Sequence, residues 1–211
     1  MKTLVEYLKD QEIFSFYVET NKDIYILGTI LKNLGIDKFE ISTHHNHKHK
    51  KHLIIPSILL KQRYREPLIS LYIIYKINRL PLKLTIGIDP GASNTGLAII
   101  TNDILAYVEN IRNHNKVSYI LEEILNNIQI RGMIIKIGYT SSTLIFSHKM
   151  KNMIENIFLK KKFYNYKIIF VKENKVKEHI IKPYINKIRK NPHIFSALQI
   201  ALWQIWKDHN E

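Results

Sequence analysis

The spacing of apolar and polar residues predicts alternating helices and strands in the first 80 residues. Apolar residues recur at helical spacing in three segments, residues 3–10, 22–34 and 58–79. Gly35 follows the second helix as a C-cap, and Pro67 should break the third. β-Branched and aromatic runs predict two strands, residues 13–19 and 39–42. Residues 1–80 are therefore expected to form a small α+β domain that carries no visible catalytic constellation.

The pattern changes after Leu80 and Pro81, which mark a predicted domain boundary. Short apolar runs predict five strands, residues 84–88, 97–100, 104–108, 133–137 and 167–171. Helical spacing follows in four segments, residues 116–128, 144–158, a stretch that begins at 176, and 194–206. This order predicts an α/β domain over residues 81–211, with a mixed sheet and helices on its faces.

The composition narrows the class of protein. The 211 residues are 45% apolar, which is enough for a buried core and argues against intrinsic disorder. The absence of cysteine excludes disulfides and thiolate metal sites. No apolar run is long enough to span a bilayer, and the first 20 residues lack a signal-peptide pattern. We therefore expect an intracellular protein of a reducing compartment, with no membrane partner.

The positive charge is concentrated in one region. The formal net charge is +14, but Ile, Lys and Asn dominate the chain in a way that AT-rich codon usage would also produce. Residues 146–190 hold 13 Lys and Arg against three acids, which codon usage alone does not explain. Such a region indicates either a nucleic-acid surface or an ordinary solvated helix face.

A second basic feature is the run of residues 44–52, which holds five of the ten histidines among lysines. It contains no acid and has no regular helical spacing, so a scaffolded metal site is not indicated. We interpret it as a polybasic loop of the N-terminal domain.

The most informative segment surrounds Asp89. A buried strand delivers this carboxylate to a turn in which Pro90 and Gly91 reverse the chain, before Thr95 and Gly96 open the next strand. A carboxylate held there can bind Mg²⁺, and the small residues allow a phosphate to approach the backbone. The alternative is a purely structural Asp that satisfies the N–H groups of the turn.

This segment resembles the first motif of the RuvC-like branch of the RNase H-like superfamily, which reads apolar-Gly-apolar-Asp-Pro-Gly and then Thr-Gly. Residues 172–177 resemble the segment after the fifth strand of that family, and residues 191–201 its final helix. The resemblance covers about residues 84–206. It implies an RNase H-like mixed five-stranded sheet flanked by helices, and nucleic acid, such as branched DNA or RNA, as the partner. It also implies a homodimer, by analogy with resolvases.

The acids of that family are mostly missing. A RuvC-like nuclease holds two divalent ions, Mg²⁺ or Mn²⁺, with about four carboxylates. Asp89 matches the first. The second should end the strand 133–137, where Lys136 and Gly138 stand, and the last two match His193 and Ser196. The resemblance therefore implies Asp89 and His193 as the candidate catalytic and metal-binding residues.

Two further residues bear on this deficit. Glu173 ends the fifth strand, but two strands from Asp89 is about 9–10 Å, which is long for a shared ion. Lys136 would repel a cation, and it could instead contact a phosphate directly. The candidate nucleic-acid-binding residues are glycine, hydroxyl and basic side chains: Gly91, Thr95, Lys136, Ser141, Lys160, Lys161, Lys162, Lys175, Lys177, Arg189 and Lys190.

Four functions remain open from the sequence. The first is a nucleic-acid-binding protein on a catalytically degraded nuclease fold. The second is an active, Mg²⁺- or Mn²⁺-dependent, structure-selective endonuclease, similar to Holliday-junction resolvases. The third is a phosphate or nucleotide binder related to the actin-like ATPases, although residues 84–211 are too short for two such domains. The fourth is a scaffold protein that uses residues 1–80 to bind a partner.

Overall fold

The structure is a computed structural model that describes residues 1–13, 15–43, 52–173 and 191–203. The described part of the N-terminal region begins with strand β1 and continues in short elements. They are β1 (Lys2–Thr3), α1 (Leu4–Asp10), β2 (Ser15–Tyr17), α2 (Asn21–Asn33), β3 (Glu40–Ser42), β4 (His52–Ile54), α3 (Ser57–Leu60) and α4 (Arg65–Asn78).

The following region contains longer strands that alternate with helices. They are β5 (Leu82–Pro90), β6 (Thr95–Thr101), β7 (Ile104–Ile111), α5 (Asn115–Asn127), β8 (Ile130–Tyr139), α6 (Leu144–Lys160), β9 (Tyr166–Lys172) and a final described helix, α7 (Pro192–Leu202). All five strands predicted after residue 80 are present, as are the helices predicted at 116, 144 and 194. The helical stretch predicted from residue 176 lies outside the described residues. None of the helices in the described ranges is both long and apolar enough to cross a membrane.

The large sheet has the order β1-β7-β6-β5-β8-β9. Strands β5, β6 and β7 are antiparallel neighbours, whereas β8 and β9 run parallel to β5. The five strands β5 to β9 thus form the mixed sheet that the sequence predicted, and its order is compatible with an RNase H-like fold. The sixth strand, β1, was not predicted from the sequence, since it has only two residues and pairs in parallel with β7.

A separate three-stranded sheet lies in the N-terminal region, with the order β3-β2-β4 and parallel pairing throughout. His52 was predicted as part of a loop, but it begins β4 and pairs with Ser15. Residues 44–51, the rest of the predicted polybasic loop, lie outside the described residues. Because β1 belongs to the large sheet, elements of residues 1–80 contribute to both sheets. The division into domains at residue 80 stays a prediction.

The prediction of a single helix broken at Pro67 was wrong in its position. The chain leaves α3 at Lys61 and begins α4 at Arg65, so that Pro67 lies in the first turn of α4. Proline is tolerated there, because the first N–H groups of a helix have no partner within the helix. Gly35 follows α2 with a φ of +78°, as a glycine C-cap requires.

The two faces of the large sheet are covered differently. On one face, Ile86 of β5 and Ile99 of β6 belong to a large apolar core that includes side chains of α1, α4, α5 and α6. On the other face, a small cluster contains Ala98 and Ile100 of β6 with Ala197 and Ala201 of α7. Alternation along each strand separates the two sets. One described helix, α7, therefore packs on the face to which Asp89 belongs.

Helix α7 lies so close to the sheet that two strand positions must be glycine. A Cβ at Gly87 would lie 2.0 Å from the carbonyl oxygen of Ala197, and one at Gly96 would lie 1.8 Å from that of His193. Both neighbours are backbone atoms, which cannot rotate away. The glycines of the motif thus fix the distance between the helix and the sheet.

The substitution Gly87→Ala should destabilise the protein, because its Cβ would force α7 away from β5. We expect the free energy of unfolding to fall by about 1–3 kcal/mol or more, as in overpacked cores. Gly28→Ala is the matched control: it lies inside α2, and its Cβ would be 3.7 Å from Ile41 Cδ1. Alanine there should raise stability by about 0.5–1 kcal/mol. Denaturant unfolding would measure both, and equal effects would contradict this packing.

Candidate functional site

Asp89 lies near the carboxyl end of β5, opposite Gly96 of β6, and is 6% exposed. His193, in the first turn of α7, brings its Nδ1 to 3.1 Å from Asp89 Oδ2. This pairing results from the close contact of α7 with the sheet, since the backbone of His193 rests on Gly96. The structure therefore brings together the two residues that were predicted as catalytic and metal-binding.

The contacts of Asp89 differ from those expected if its carboxylate only accepted hydrogen bonds from the N–H groups of the turn. Burial raises its pKa, and the hydrogen bond and charge of His193 oppose that rise. Among the described residues, His193 is the hydrogen-bond partner of the Asp89 carboxylate. The turn closes through its own backbone instead, because the Gly91 N–H donates to the Asn94 carbonyl at 2.8 Å.

The turn after Asp89 packs against two histidines. A Cβ at Gly91 would lie 3.1 Å from His193 Cε1, so the glycine gives this ring its space. Thr95 is fully buried, and its hydroxyl lies 2.5 Å from Nδ1 of His114. The other ring nitrogen of His114 lies 3.4 Å from the carbonyl oxygen of Ala92. Thr95 therefore holds the turn through His114 and does not present its hydroxyl to solvent.

His114 lies beside this turn, although it was not among the residues predicted from the sequence. It immediately precedes α5, after β7 has reached the same edge of the sheet as Asp89, since β7 runs parallel to β5. Its ring also stacks on Phe146 of α6, with centroids 6.3 Å apart. The sequence does contain a signal for His114, because it is a polar residue that follows a strand ending at the Asp89 edge.

Glu173, which follows β9, extends its side chain over Gly138 of β8. Its Oε1 lies 3.1 Å from the place that a Cβ of Gly138 would occupy. Gly138 follows Ile137, which pairs with Ile88, so Gly138 is the neighbour of Asp89 on β8. Burial raises the pKa of Glu173, the charge of Asp89 raises it further, and His193 lowers it. The expected strand order is confirmed, with the Glu173 side chain against Gly138 of β8.

Lys136 is almost completely buried, and its Nζ donates to the carbonyl oxygen of Ala201 at 2.6 Å. It therefore caps one of the last carbonyl groups of α7, where a cation is favoured by the helix dipole. Burial lowers its pKa to about 8. The Lys136 ammonium group thus stabilises the end of α7, and its contact with phosphate stays a prediction.

The other predicted binding residues are divided between two edges of the sheet. Ser141 is exposed in the turn between β8 and α6, at the edge that carries Asp89. Lys160 ends α6, and Lys161 and Lys162 follow it, at the opposite edge, about 25 Å away along a 17-residue helix. Lys160 also forms an ion pair with Glu122 at 2.9 Å. Four further predicted residues lie outside the described ranges: Lys175, Lys177, Arg189 and Lys190.

The carboxylate deficit of the sequence persists in the structure. In the described ranges, no three His, Asp or Glu side chains are already spaced to hold a metal ion. Gly138 and Lys136 supply no acid at the end of β8, and Ser196 supplies none on α7. The described site consists of the Asp89–His193 pair with the Glu173 carboxylate nearby.

The substitution Asp89→Asn tests whether this carboxylate stabilises the fold. Because its folded pKa is raised, Asp89 contributes stability below its unfolded pKa and loses that contribution as pH rises through the folded value. In metal-free buffer we therefore expect Asp89→Asn to be as stable as wild type, or more stable, at pH 7. Its advantage should shrink toward pH 3. Denaturant unfolding at several pH values would measure this.

The exposed residue Asp37 supplies the control, because Asp37→Asn makes the same charge change away from the site. A loss of about 1–2 kcal/mol at pH 7 that is specific to Asp89→Asn would support the structural alternative.

Two Thermus thermophilus RuvC structures are among the solved structures that match this chain. No family model matches it, and no curated protein matches it. A structure of Thermus thermophilus RuvC in complex with a Holliday junction substrate is 13% identical, with a TM-score of 0.39, over 58% of this chain and 91% of that one. A second Thermus thermophilus RuvC structure is 14% identical, with a TM-score of 0.39, over 56% and 91%. At these values the likeness does not assign a family, a site or an activity to this protein.

Proposed function

We propose that this protein binds nucleic acid at the Asp89 edge of the large sheet, on a RuvC-like RNase H fold with little or no nuclease activity. The observation that carries the proposal is the convergence of three helix N-termini on this edge. Helix α5 starts after β7, α6 starts after β8, and α7 starts beside Gly96. A helix N-terminus carries a positive dipole end, which favours phosphate. The N-termini of α5 and α6 have no side-chain cap, whereas Asn191 caps that of α7.

The deficit of acids supports the second half of the proposal. Hydrolysis by two metal ions needs several carboxylates to hold both ions. The described site offers Asp89 and Glu173, whereas Lys136 and Gly138 stand where the resemblance requires an acid. An acid-poor site in a chain of net charge +14 favours binding over cleavage.

The exposed lysines at the two ends of α6 support a path for the nucleic acid along this helix. Lys149 is exposed near the start of α6, and Lys160 and Lys162 are exposed at its end. A nucleic acid that contacts both the Asp89 edge and these lysines would extend about 25 Å along α6. The homodimer implied by the resemblance stays a prediction. The proposal covers both DNA and RNA as the nucleic acid.

Binding should weaken steeply with salt, because each phosphate contact releases counterions. Fluorescence anisotropy with four-way junction DNA, duplex DNA and duplex RNA would measure the slope of log K against log salt. Replacing Lys160, Lys161 and Lys162 with Gln should reduce that slope on duplex DNA by about two, since Lys160 is already paired with Glu122. Lys22, Lys32 and Lys38 are exposed, and their replacement with Gln is a control of equal charge. No binding to any of the three ligands at low salt would refute the proposal.

The second candidate function is a metal-dependent, structure-selective endonuclease. The contact of 3.1 Å between Asp89 and His193 favours it, because carboxylates and imidazoles are both metal ligands in proteins.

Cleavage of labelled four-way junctions and of linear DNA and RNA, with Mg²⁺ or Mn²⁺, separates the two functions. We expect wild type to give no more product than Asp89→Asn, because the site lacks acids. Robust cleavage that Asp89→Asn abolishes would replace the binding proposal with this one.

A further inference from the structure

A cluster of two aromatic and two basic side chains lies beside the start of α5. The rings of Tyr64, which precedes α4, and Tyr119 of α5 stack with their centroids 6.1 Å apart and their planes 15° from parallel. The guanidinium carbon of Arg63 lies 5.3 Å from the centre of the Tyr64 ring and 5.9 Å from that of Tyr119. Lys116 Nζ lies 5.3 Å from the centre of the Tyr64 ring. These four side chains form one surface cluster, the tyrosine platform.

The tyrosine platform belongs to the Asp89 edge of the large sheet. Lys116 lies in the first turn of α5, two residues after His114, whose ring contacts the turn that follows Asp89. The Lys116 ammonium also pairs with Glu109, near the carboxyl end of β7. Tyr119 follows Lys116 by about one helical turn, which is about 5 Å along the axis of α5. A nucleic-acid strand held at the Asp89 edge can therefore reach the platform.

Part of the platform faces solvent. Tyr119 is 46% exposed although Tyr64 stacks on it, so the exposed area lies on the side of the ring that is turned away from Tyr64. Arg63 is exposed as well. A tyrosine that only filled a core would keep little exposed area, because burial of apolar ring surface is favourable. The Tyr119 ring is therefore accessible to a flat partner.

The charges around the two rings favour a ligand that combines a flat ring with an anion. Arg63 and Lys116 already lie over the tyrosines, which argues against a cationic ligand in an aromatic cage. The nearby acids have partners, since Glu109 pairs with Lys116 and Glu123 accepts the Tyr64 N–H at 2.9 Å. Within the described ranges, Arg63 forms no ion pair with a carboxylate. Its charge is therefore available to a phosphate.

We propose that the tyrosine platform stacks an unpaired base of single-stranded nucleic acid whose backbone lies at the Asp89 edge. This inference rests on the proposed function and adds the class of ligand to it. Proteins hold single strands with aromatic rings beside basic groups, because every base has a face that can stack. In an intact duplex each base is already stacked between its neighbours. Arg63 and Tyr64 precede the region of the RuvC-like resemblance, so that resemblance does not imply this contact.

Fluorescence anisotropy with oligo-dT and oligo-rU of about 15 nucleotides, beside duplex DNA, tests the platform. Tyr119→Leu should weaken binding of the single strands at least about 5-fold, as the loss of one base stack does, and change duplex binding less than about 2-fold. Tyr119→Phe keeps the ring and should bind as wild type does. Tyr25→Leu is the matched control, because Tyr25 lies on α2 and is 79% exposed. Thermal melts would verify that the variants fold.

Arg63→Gln is a second variant at an exposed position, and it should also weaken binding of the single strands more than that of the duplex. Oligo-dT and oligo-rU together show whether DNA or RNA supplies the base. Three results overturn the platform while duplex binding leaves the proposed function intact: no single-strand binding by wild type, equal single-strand binding by wild type and Tyr119→Leu, or an equal loss on single strands and duplex. Failure of wild type to bind any probe refutes the proposed function, and the platform with it.

Discussion

The close packing of helix α7 on strands β5 and β6 is the interaction on which the candidate site depends. Main-chain atoms of the helix lie where Cβ atoms of Gly87 and Gly96 would stand, so the helix rests on the backbone of the sheet. This contact places the ring of His193 against Asp89. A helix held one side-chain layer further out would separate the two residues and open the carboxylate to water.

The residues at this contact are unusual for the chain. Only five alanines occur among the 211 residues. Three of them, Ala98, Ala197 and Ala201, belong to the small cluster between α7 and the sheet. Lys136 then holds the far end of the helix through the Ala201 carbonyl. The same helix is thus fixed near both ends, by His193 at the edge of the sheet and by Lys136 within it. Its N-terminus is therefore held at the edge that carries Asp89.

The periodicity of the sequence located the main elements because each long strand and helix has its own apolar pattern. It failed for β1 and β4, which have two and three residues and exist only through pairing with distant strands. It also put the helix break at Pro67, although proline fits the first turn of α4. These errors share a cause: local pattern does not report contacts made far along the chain.

The sequence by itself determined the strand that carries Asp89 and the glycine turn, and through the family resemblance it named Asp89 and His193 as candidate site residues. It also determined that most of the expected acids are missing. Only the tertiary structure decided where Glu173 and Lys136 direct their side chains, one over Gly138 and the other to the end of α7. Lys136 lies on β8 and Glu173 directly follows β9, and the small residues facing these long side chains decide where their charges lie. Such space is a property of packed neighbours, which no spacing along the chain records.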